Sequence, residues 1–132
     1  MNRQILISRN DYQVWYNMGV NLSKSRKYRQ AITAFDKAIK IKPDYPEALN
    51  NRGNILKVLG RLNSALNNFN LAVNLEPNYY LAWYNRGNLL NDLKQYREAI
   101  NSFKKAIQIK PYLYQAWYNL GLSLIHISEP TR

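Results

Sequence analysis

The stretch Tyr80–Gln95, YLAWYNRGNLLNDLKQ, decides the fold of this chain. Trp83 and Gly87 are four residues apart in it, so on an α-helix they lie on one face, a turn from each other. A glycine inside a helix costs about 1 kcal/mol relative to alanine. That cost is explained if a second helix crosses so closely that a Cβ atom would clash with it. The stretch therefore predicts a tight pair of helices.

The second helix of the pair is expected in the next stretch, Tyr96–Ile109, which reads YREAINSFKKAIQI. Small residues and one aromatic residue recur in it at helical spacing, at Ala99, Phe103 and Ala106. A proline follows at position 111 and ends the pair, because proline cannot continue a helix. We expect Gly87 to lie against Ala99 at the crossing, and the equivalent glycines to lie against the equivalent alanines.

The same pair of helices recurs along the chain, because several residue types return at a fixed spacing of 34 residues. The series are Gly19, Gly53, Gly87 and Gly121; Ala31, Ala65 and Ala99; Phe35, Phe69 and Phe103; Ala38, Ala72 and Ala106; and Pro43, Pro77 and Pro111. Repeats of this length, with small residues where helices cross, predict an all-α fold, a solenoid of helical hairpins.

These recurring residues resemble the tetratricopeptide repeat (TPR) family, whose pattern has Trp, Leu-Gly, Tyr, Ala, Phe, Ala and Pro in this order. The resemblance covers three full repeats and part of a fourth: Tyr12–Tyr45, Pro46–Tyr79, Tyr80–Leu113 and residues 114–121. It implies a TPR superhelix of three repeats plus the first helix of a fourth. Arg52 and Arg86 stand where the family usually has leucine before the glycine. We expect each to bury its stem and keep its charged end in water.

The repeat pattern predicts seven helices, with approximate spans 12–24, 28–41, 46–59, 62–75, 80–95, 96–109 and from 114 onward. Residues 1–11 precede the first repeat as an N-terminal lead-in. The apolar run Ile5–Ile7 in it is either the end of an earlier helix or a short segment that packs on the first pair. Asp44 is expected to cap the third helix, and Pro46 to lie in its first turn.

The repeat phase is lost from Leu122 onward, where the chain reads LSLIHISEPTR. This string resembles the translation of a transposase-based sequencing adapter. We therefore expect residues 122–132 to be a non-native tail and the chain to be a fragment cut within a repeat. The lone histidine, His126, lies in that tail and is given no role. The seventh helix would present Trp117, Leu120 and Leu124 without a partner helix, so we expect self-association through it.

Composition argues against an enzyme. The 132 residues include no cysteine, so there is no disulfide, no thiol nucleophile and no cysteine-based metal site. The eight acidic residues are scattered, and neither a glycine-rich phosphate loop nor a metal-ligand cluster is present. We expect no catalytic residue, no metal and no cofactor. No apolar run is long enough for a membrane span or a secretory signal, which indicates a cytoplasmic protein without a membrane partner.

The net charge of +11 comes largely from cations on or just before the second helix of a pair. They are Arg26, Lys27, Arg29, Lys37, Lys40, Arg97, Lys104 and Lys105. In a helical-hairpin solenoid these helices form the outer, convex layer, so the charges are expected to be a solvated face. A nucleic-acid surface is the alternative, disfavoured because aromatic residues do not interleave with the charges as a stacking surface requires.

The candidate site is a row of polar residues on the first helices, which line the inner surface of such a solenoid. The row consists of Asn17, Asn51, Asn85 and Asn119, each 34 residues from the next, with Asn54, Asn88 and Lys57 further along and Tyr16, Tyr84 and Tyr118 beside it. An asparagine amide both donates and accepts, which suits the repeating N–H and C=O groups of an extended peptide. Asparagine is also a mediocre helix former, so four at one repeat position need a reason. The alternative is a polar residue merely inherited by duplication.

The resemblance implies a protein–protein interaction scaffold that binds an extended peptide segment in its concave groove, with the asparagine amides exposed when no peptide is bound. The family's other mode, a clamp on a peptide's C-terminal carboxylate, is not expected, since Tyr16, Val20 and Leu81 occupy places where its cations and asparagine belong. Two alternatives stay open: a substrate-docking array of a larger enzyme truncated here, and a nucleic-acid-binding surface.

Overall fold

The computed structural model describes the backbone of residues 3–128 and the side chains of residues 11–128. Within that range the chain forms seven α-helices: α1 (Arg3–Lys24), α2 (Tyr28–Ile41), α3 (Pro46–Val58), α4 (Leu62–Leu75), α5 (Tyr80–Asp92), α6 (Tyr96–Ile109) and α7 (Tyr114–Ser128). The predicted all-α fold of helical hairpins is confirmed. Residues 1–2 of the lead-in and residues 129–132 of the tail lie outside the described residues.

Three predicted details of the helix ends are wrong. The fifth helix ends at Asp92 rather than at Gln95, because the turn with Lys94 in the left-handed region follows it. The first helix begins at Arg3 rather than at Tyr12, because no proline or glycine stands between them to stop it. The lead-in is thus continuous with α1. Asp44 does not cap α3; Tyr45 occupies that position and no side chain caps the helix. The Tyr45 ring is instead buried, 5.5 Å from the ring of Tyr12 and 5.0 Å from that of Tyr16, so packing fixes this end. The proline in the first turn of α3 is confirmed.

The chain divides into two compact units, Met1–Asn68 and Phe69–Arg132, and the division falls inside α4. In the first unit α2 packs against both α1 and α3. Its core is made by Ala31, Phe35, Ala38, Tyr45, Ala48 and Ile55. In the second unit α6 packs against both α5 and α7. Its buried residues include Leu89, Leu90, Ala99, Phe103, Ala106 and Ala116.

Gly19 and Gly87 lie at close helix crossings, as predicted. A Cβ atom added at Gly19 would stand 2.6 Å from Cε1 of Phe35, and one at Gly87 would stand 2.6 Å from Cε1 of Phe103. The nearest atoms belong to a phenylalanine ring of the second helix, four residues after the alanine named in the predicted crossing. The ring of the second helix lies flat on the bare backbone of the first, which only glycine permits.

The turns between paired helices share one backbone device. Arg26 (φ 61°), Gly60 (φ 80°) and Lys94 (φ 62°) occupy equivalent positions, all in the left-handed region. In the first turn the N–H of Lys27 donates to the carbonyl of Leu22 at 2.9 Å, and the same bond recurs at the other two turns. These are the bonds that close a helix with a left-handed residue after its end, where glycine is favoured.

We expect Arg26→Gly and Lys94→Gly each to raise the free energy of unfolding by about 0.5–1 kcal/mol, because glycine adopts a positive φ without the clash of a Cβ. Both side chains are exposed, so little contact is lost. Urea unfolding followed by circular dichroism measures the change. Gly60→Lys is the matched reverse substitution and should lower stability by about 1 kcal/mol. A destabilising Arg26→Gly would contradict this account.

The arginine of α3 joins the helices on either side of it. Its Nε donates to Oδ1 of Asn68 at 2.8 Å, and its Nη1 donates to Oδ1 of Asp36 at 2.7 Å. Arg52 therefore links α2, α3 and the part of α4 that belongs to the first unit. Its charged end is bonded to two neighbouring helices, and the bond to Asp36 lies at the exposed surface.

Arg86 makes the equivalent link in the second unit. Its Nε donates to Oδ1 of Asn70 at 2.7 Å, and its Nη1 donates to Oγ of Ser102, also at 2.7 Å. Ser102 is fully buried. Burial lowers the pKa of Arg86, an effect that the nearby carboxylate of Glu98 opposes. This guanidinium, too, is bonded to protein rather than left in water.

Candidate functional site

The first helices of the first unit, α1 and α3, line a small open cavity that is mostly apolar and includes two residues of the predicted asparagine row. Its volume is about 200 Å³. It is lined by Val20, Ser23, Lys24, Asn51, Asn54 and Ile55. Asn51 and Asn54 both line this cavity. The side chains around them offer a hydroxyl and an ammonium group, and two apolar residues complete the lining.

The Asn51 amide has a fixed orientation. Its Nδ2 donates to the hydroxyl of Tyr16 at 3.0 Å, across the gap between α3 and α1. The Tyr16 ring is itself held by Phe35, with ring centroids 5.9 Å apart. Burial raises the pKa of Tyr16, and the carboxylate of Glu47 raises it further, while the bond from Asn51 lowers it. The tyrosine therefore stays neutral near pH 7, and its hydroxyl oxygen accepts the hydrogen bond from the amide.

In the second unit the same row is joined by side-chain hydrogen bonds. Asn119 Nδ2 donates to the hydroxyl of Tyr84 at 3.2 Å and to Oδ1 of Asn88 at 2.8 Å. One turn further along, Ser123 Oγ donates to Oδ1 of Asn91 at 2.7 Å. The pairing of an asparagine with a tyrosine 35 residues earlier thus occurs in both units.

The structure corrects two expectations about the row. Asn51 and Asn119 are half-buried and bonded to neighbouring helices, so they are not largely exposed in the absence of a ligand. Asn17 is exposed but lies apart from the cavity of Asn51, in an open pocket of about 450 Å³ beside Met18 and Asn21. Of the remaining predicted residues, Asn85, Lys57 and Tyr84 are half-buried and Tyr118 is exposed.

The two units differ chemically because one position of the row changes. Val20 in α1 is replaced by Asn88 at the equivalent place in α5. Asn88 accepts a bond from Asn119, whereas a valine at position 20 cannot accept one from Asn51. The first unit therefore keeps an open cavity, and the second brings its amides together.

Lys24 is a cavity residue that the sequence reasoning missed. It ends α1 and lines the cavity with Val20, one helical turn before it. That spacing of four residues was the available signal. An ammonium group beside two amides favours an anionic or carbonyl-bearing ligand.

No group of three or more potential metal ligands occurs among the residues that the structure describes. Between residues 3 and 128, no helix is both long and apolar enough to cross a membrane.

Three solved structures illustrate the similarity of this fold to known proteins. The first TPR domain of Spaghetti (RPAP3) bound to the HSP90 peptide SRMEEVD is 24% identical, covers 91% of this chain and 95% of its own, and gives a TM-score of 0.89. The Arabidopsis OM64 TPR domain is 20% identical. The match covers 90% of this chain and 98% of that domain, with a TM-score of 0.87. The Sgt2 TPR domain from Aspergillus fumigatus is 22% identical, with 92% and 85% covered and a TM-score of 0.84.

Comparison with curated protein sequences gave no match. Sequence models of a repeat family, however, match most of the chain. The model described as "TPR repeat" matches residues 22–60 and 53–93, and the one described as "Tetratricopeptide repeat" matches residues 80–113. These matches include Gly87 and the alanine and phenylalanine series of the second helices. The chain therefore belongs to the tetratricopeptide repeat family.

Proposed function

We propose that this chain is a protein–protein interaction scaffold that binds an extended segment of another protein along its first helices. The observation that carries the proposal is the cavity between α1 and α3, where Asn51 and Asn54 meet beside Lys24. A peptide backbone offers one N–H and one C=O at each residue, and an asparagine amide can bond both.

The anchoring of Asn51 supports this proposal. Its bond to Tyr16 holds the amide in one orientation before a ligand arrives. A group that is already ordered loses less conformational entropy on binding, and this raises affinity. We therefore assign Tyr16 a positioning role and Asn51 and Asn54 the contacts with the peptide.

The ligand is proposed to carry acidic side chains. Lys24 lines the cavity, and the chain has a net charge of +11, which attracts anionic partners. The TPR domain of Spaghetti (RPAP3), which shares this fold, is bound to a peptide with acidic residues, SRMEEVD. Val20 and Leu81 stand where a carboxylate clamp would need polar groups, so we propose contacts to the backbone and acidic side chains instead.

The rest of the predicted row remains part of the proposal. Asn119 donates one hydrogen bond to Asn88, and both amides can exchange it for bonds to a peptide's groups. The other members stay predictions: Asn17, Asn85, Lys57, Tyr84 and Tyr118. We further propose a cytoplasmic, non-catalytic protein, and self-association through α7 also stays a prediction.

The test is peptide selection followed by substitution. A peptide selected from a random phage-displayed library against the full chain should contain acidic residues. The double variant Asn51→Ala/Asn54→Ala should weaken its binding by about 1–3 kcal/mol, because peptide backbone groups lose their partners. Isothermal titration calorimetry measures the change. Since Asn51 also bonds Tyr16, we expect this variant to lose about 1 kcal/mol of stability while remaining folded.

Tyr16→Phe and Lys40→Glu are the matched controls. Tyr16→Phe removes only the hydroxyl that holds Asn51, so we expect a smaller loss of affinity, while the exposed Lys40 lies on α2, the second helix of its pair, and its reversal should change little. Normal peptide binding by the double variant, together with abolished binding after Lys40→Glu, would exclude the groove and favour the basic surface.

A further inference from the structure

A second cavity of the first unit adjoins the cavity between α1 and α3, which we call the asparagine cavity. This second one, the turn cavity, has a volume of about 330 Å³ and is lined by Arg26, Lys27, Tyr28, Arg29, Gln30 and Leu59. Lys24 lines the asparagine cavity, and Arg26, two residues later, lines the turn cavity. Likewise Ile55 lines the first and Leu59, one helical turn further on, lines the second. The two cavities therefore follow one another along α3.

The turn cavity and its edge are strongly cationic. Within six residues the chain has four cations, all exposed: Lys24, Arg26, Lys27 and Arg29. No ion pair or side-chain hydrogen bond joins any of them to another residue within 11–128. Among the described residues that line the two cavities, none is acidic. Tyr28 and Leu59 pack against the core and form the apolar part of the lining.

The fold does not require these cations, because equivalent positions in the other repeats hold different side chains. The second unit has an equivalent cavity of about 420 Å³, lined by Lys94, Gln95, Tyr96, Arg97, Glu98 and Ile127. There Gln95 stands in place of Lys27 and adds no charge. Glu98 stands in place of Gln30 and offsets one cation. Since helical hairpins form around either set of side chains, the cations of the turn cavity are free to serve binding.

The spacing of the two cavities predicts which part of a bound peptide the cations meet. Ile55 and Leu59 are four residues apart, and a helix rises about 1.5 Å per residue, so the cavities are displaced by about 6 Å along α3. An extended peptide advances about 3.3 Å per residue. A residue about two positions from the one at the asparagines therefore reaches the turn cavity. A carboxylate suits that position, because guanidinium groups bind carboxylates with two parallel hydrogen bonds.

We propose that the turn cavity is a second subsite of the peptide groove, an inference that rests on the proposed function. It binds an aspartate or glutamate of the partner protein, about two residues from the segment that Asn51 and Asn54 hold. Arg26, Lys27 and Arg29 supply the positive charge. The first unit thus selects its partner by the position of an acid in the bound segment, and the second unit, with its glutamate, does not.

The probe is the peptide selected from the phage-displayed library, synthesised with blocked ends and titrated against the full chain. Methylation of each backbone nitrogen in turn locates the residue at the asparagines, since its methylation weakens binding to the original chain but not to Asn51→Ala/Asn54→Ala. An aspartate or glutamate should lie about two residues away, and its replacement by alanine should weaken binding by about tenfold. A peptide with no such acid, or with one whose replacement has no effect, would overturn the subsite.

A double substitution copied from the second unit tests the cations. Lys27→Gln/Gln30→Glu gives the turn cavity the side chains found there, at two exposed positions, so the variant should remain folded. It should weaken the peptide by about tenfold and remove most of the effect of the peptide's acid. Lys40→Glu is the matched control, since it changes the net charge equally at an exposed position of α2 outside both cavities. Equal losses in the two variants would refute the subsite.

The two pairs of substitutions distinguish the subsite from the groove. If Asn51→Ala/Asn54→Ala weakens the peptide and Lys27→Gln/Gln30→Glu does not, the proposed function stands and the subsite is wrong. The reverse pattern would refute the groove, and the predicted register with it. A single-stranded RNA of random sequence should bind more weakly than the peptide. Tighter binding of this RNA that Lys27→Gln/Gln30→Glu abolishes would show a nucleic-acid site and overturn the proposal.

Discussion

Gly87→Leu is expected to lower the free energy of unfolding by about 3 kcal/mol, the upper end of the usual cost of overpacking a core. The first added atom would already stand 2.6 Å from the Phe103 ring, which is fully buried and cannot swing into solvent. Either the ring or the crossing of α5 and α6 must shift. The better helix propensity of leucine, about 1 kcal/mol, offsets only part of the cost. Urea unfolding followed by circular dichroism measures the difference.

Gly121→Leu is the matched control for this prediction. It makes the same chemical change at the same repeat position, but nothing lies within 4 Å of the added Cβ. We expect stability to be unchanged or to rise by up to about 1 kcal/mol, from helix propensity alone. Equal effects of the two substitutions would show that the ring contact does not explain why the repeat keeps a glycine.

Arg86→Ala should cost about 3 kcal/mol, because it leaves buried polar groups without a partner. Ser102 is fully buried and accepts from Nη1, while Asn70 accepts from Nε. The methyl group of alanine replaces neither the packing of the arginine methylene stem nor these two hydrogen bonds. Thermal and urea unfolding measure the loss, and circular dichroism checks that the helices remain.

Arg52→Ala supplies the comparison, with an expected cost of about 1–2 kcal/mol. Its partner Asp36 is 53% exposed, so water can replace the lost bond on that side. A double-mutant cycle of Arg86→Leu with Ser102→Ala isolates the buried bond, since removing both partners should cost less than removing the arginine alone. Additive effects would show that the Arg86–Ser102 bond contributes nothing to stability.

The helix pairs could be predicted from the sequence because local residues end them. The bounds of α2, α4 and α6 agree with the prediction to the residue, and each of these helices is followed within two residues by proline. The start of α1 could not be predicted, because nothing in the lead-in interrupts a helix. The cap of α3 was missed because the tyrosine at that position is fixed by ring packing with residues more than 25 positions away.

The candidate site was predicted as a set of positions rather than as a set of bonds. Periodicity places Asn51 and Asn54 on one helix, and the structure brings both to one cavity. The bond from Asn51 to Tyr16 joins helices whose relative rotation no local pattern specifies. For the same reason, sequence alone could not show that Asn119 bonds Asn88, or that the arginine heads are held between helices.

The arginine links also give the repeats an order. Arg52 and Arg86 each bond residues 16 positions before and after them, and those four residues are all hydrogen-bond acceptors. The same position holds Met18 in the first repeat, where the residue 16 further on is Ala34, and Leu120 in the last, where the residue 16 earlier is Lys104. An arginine is present only where both neighbours can accept its protons. Exchanging the second repeat with the third would place the Arg52 guanidinium behind Lys104 instead of Asp36, so repeats that share one architecture are not interchangeable. The order of the repeats along the chain therefore depends on hydrogen-bond complementarity between neighbouring repeats. An array of the same repeats in another order should have a lower free energy of unfolding than this one.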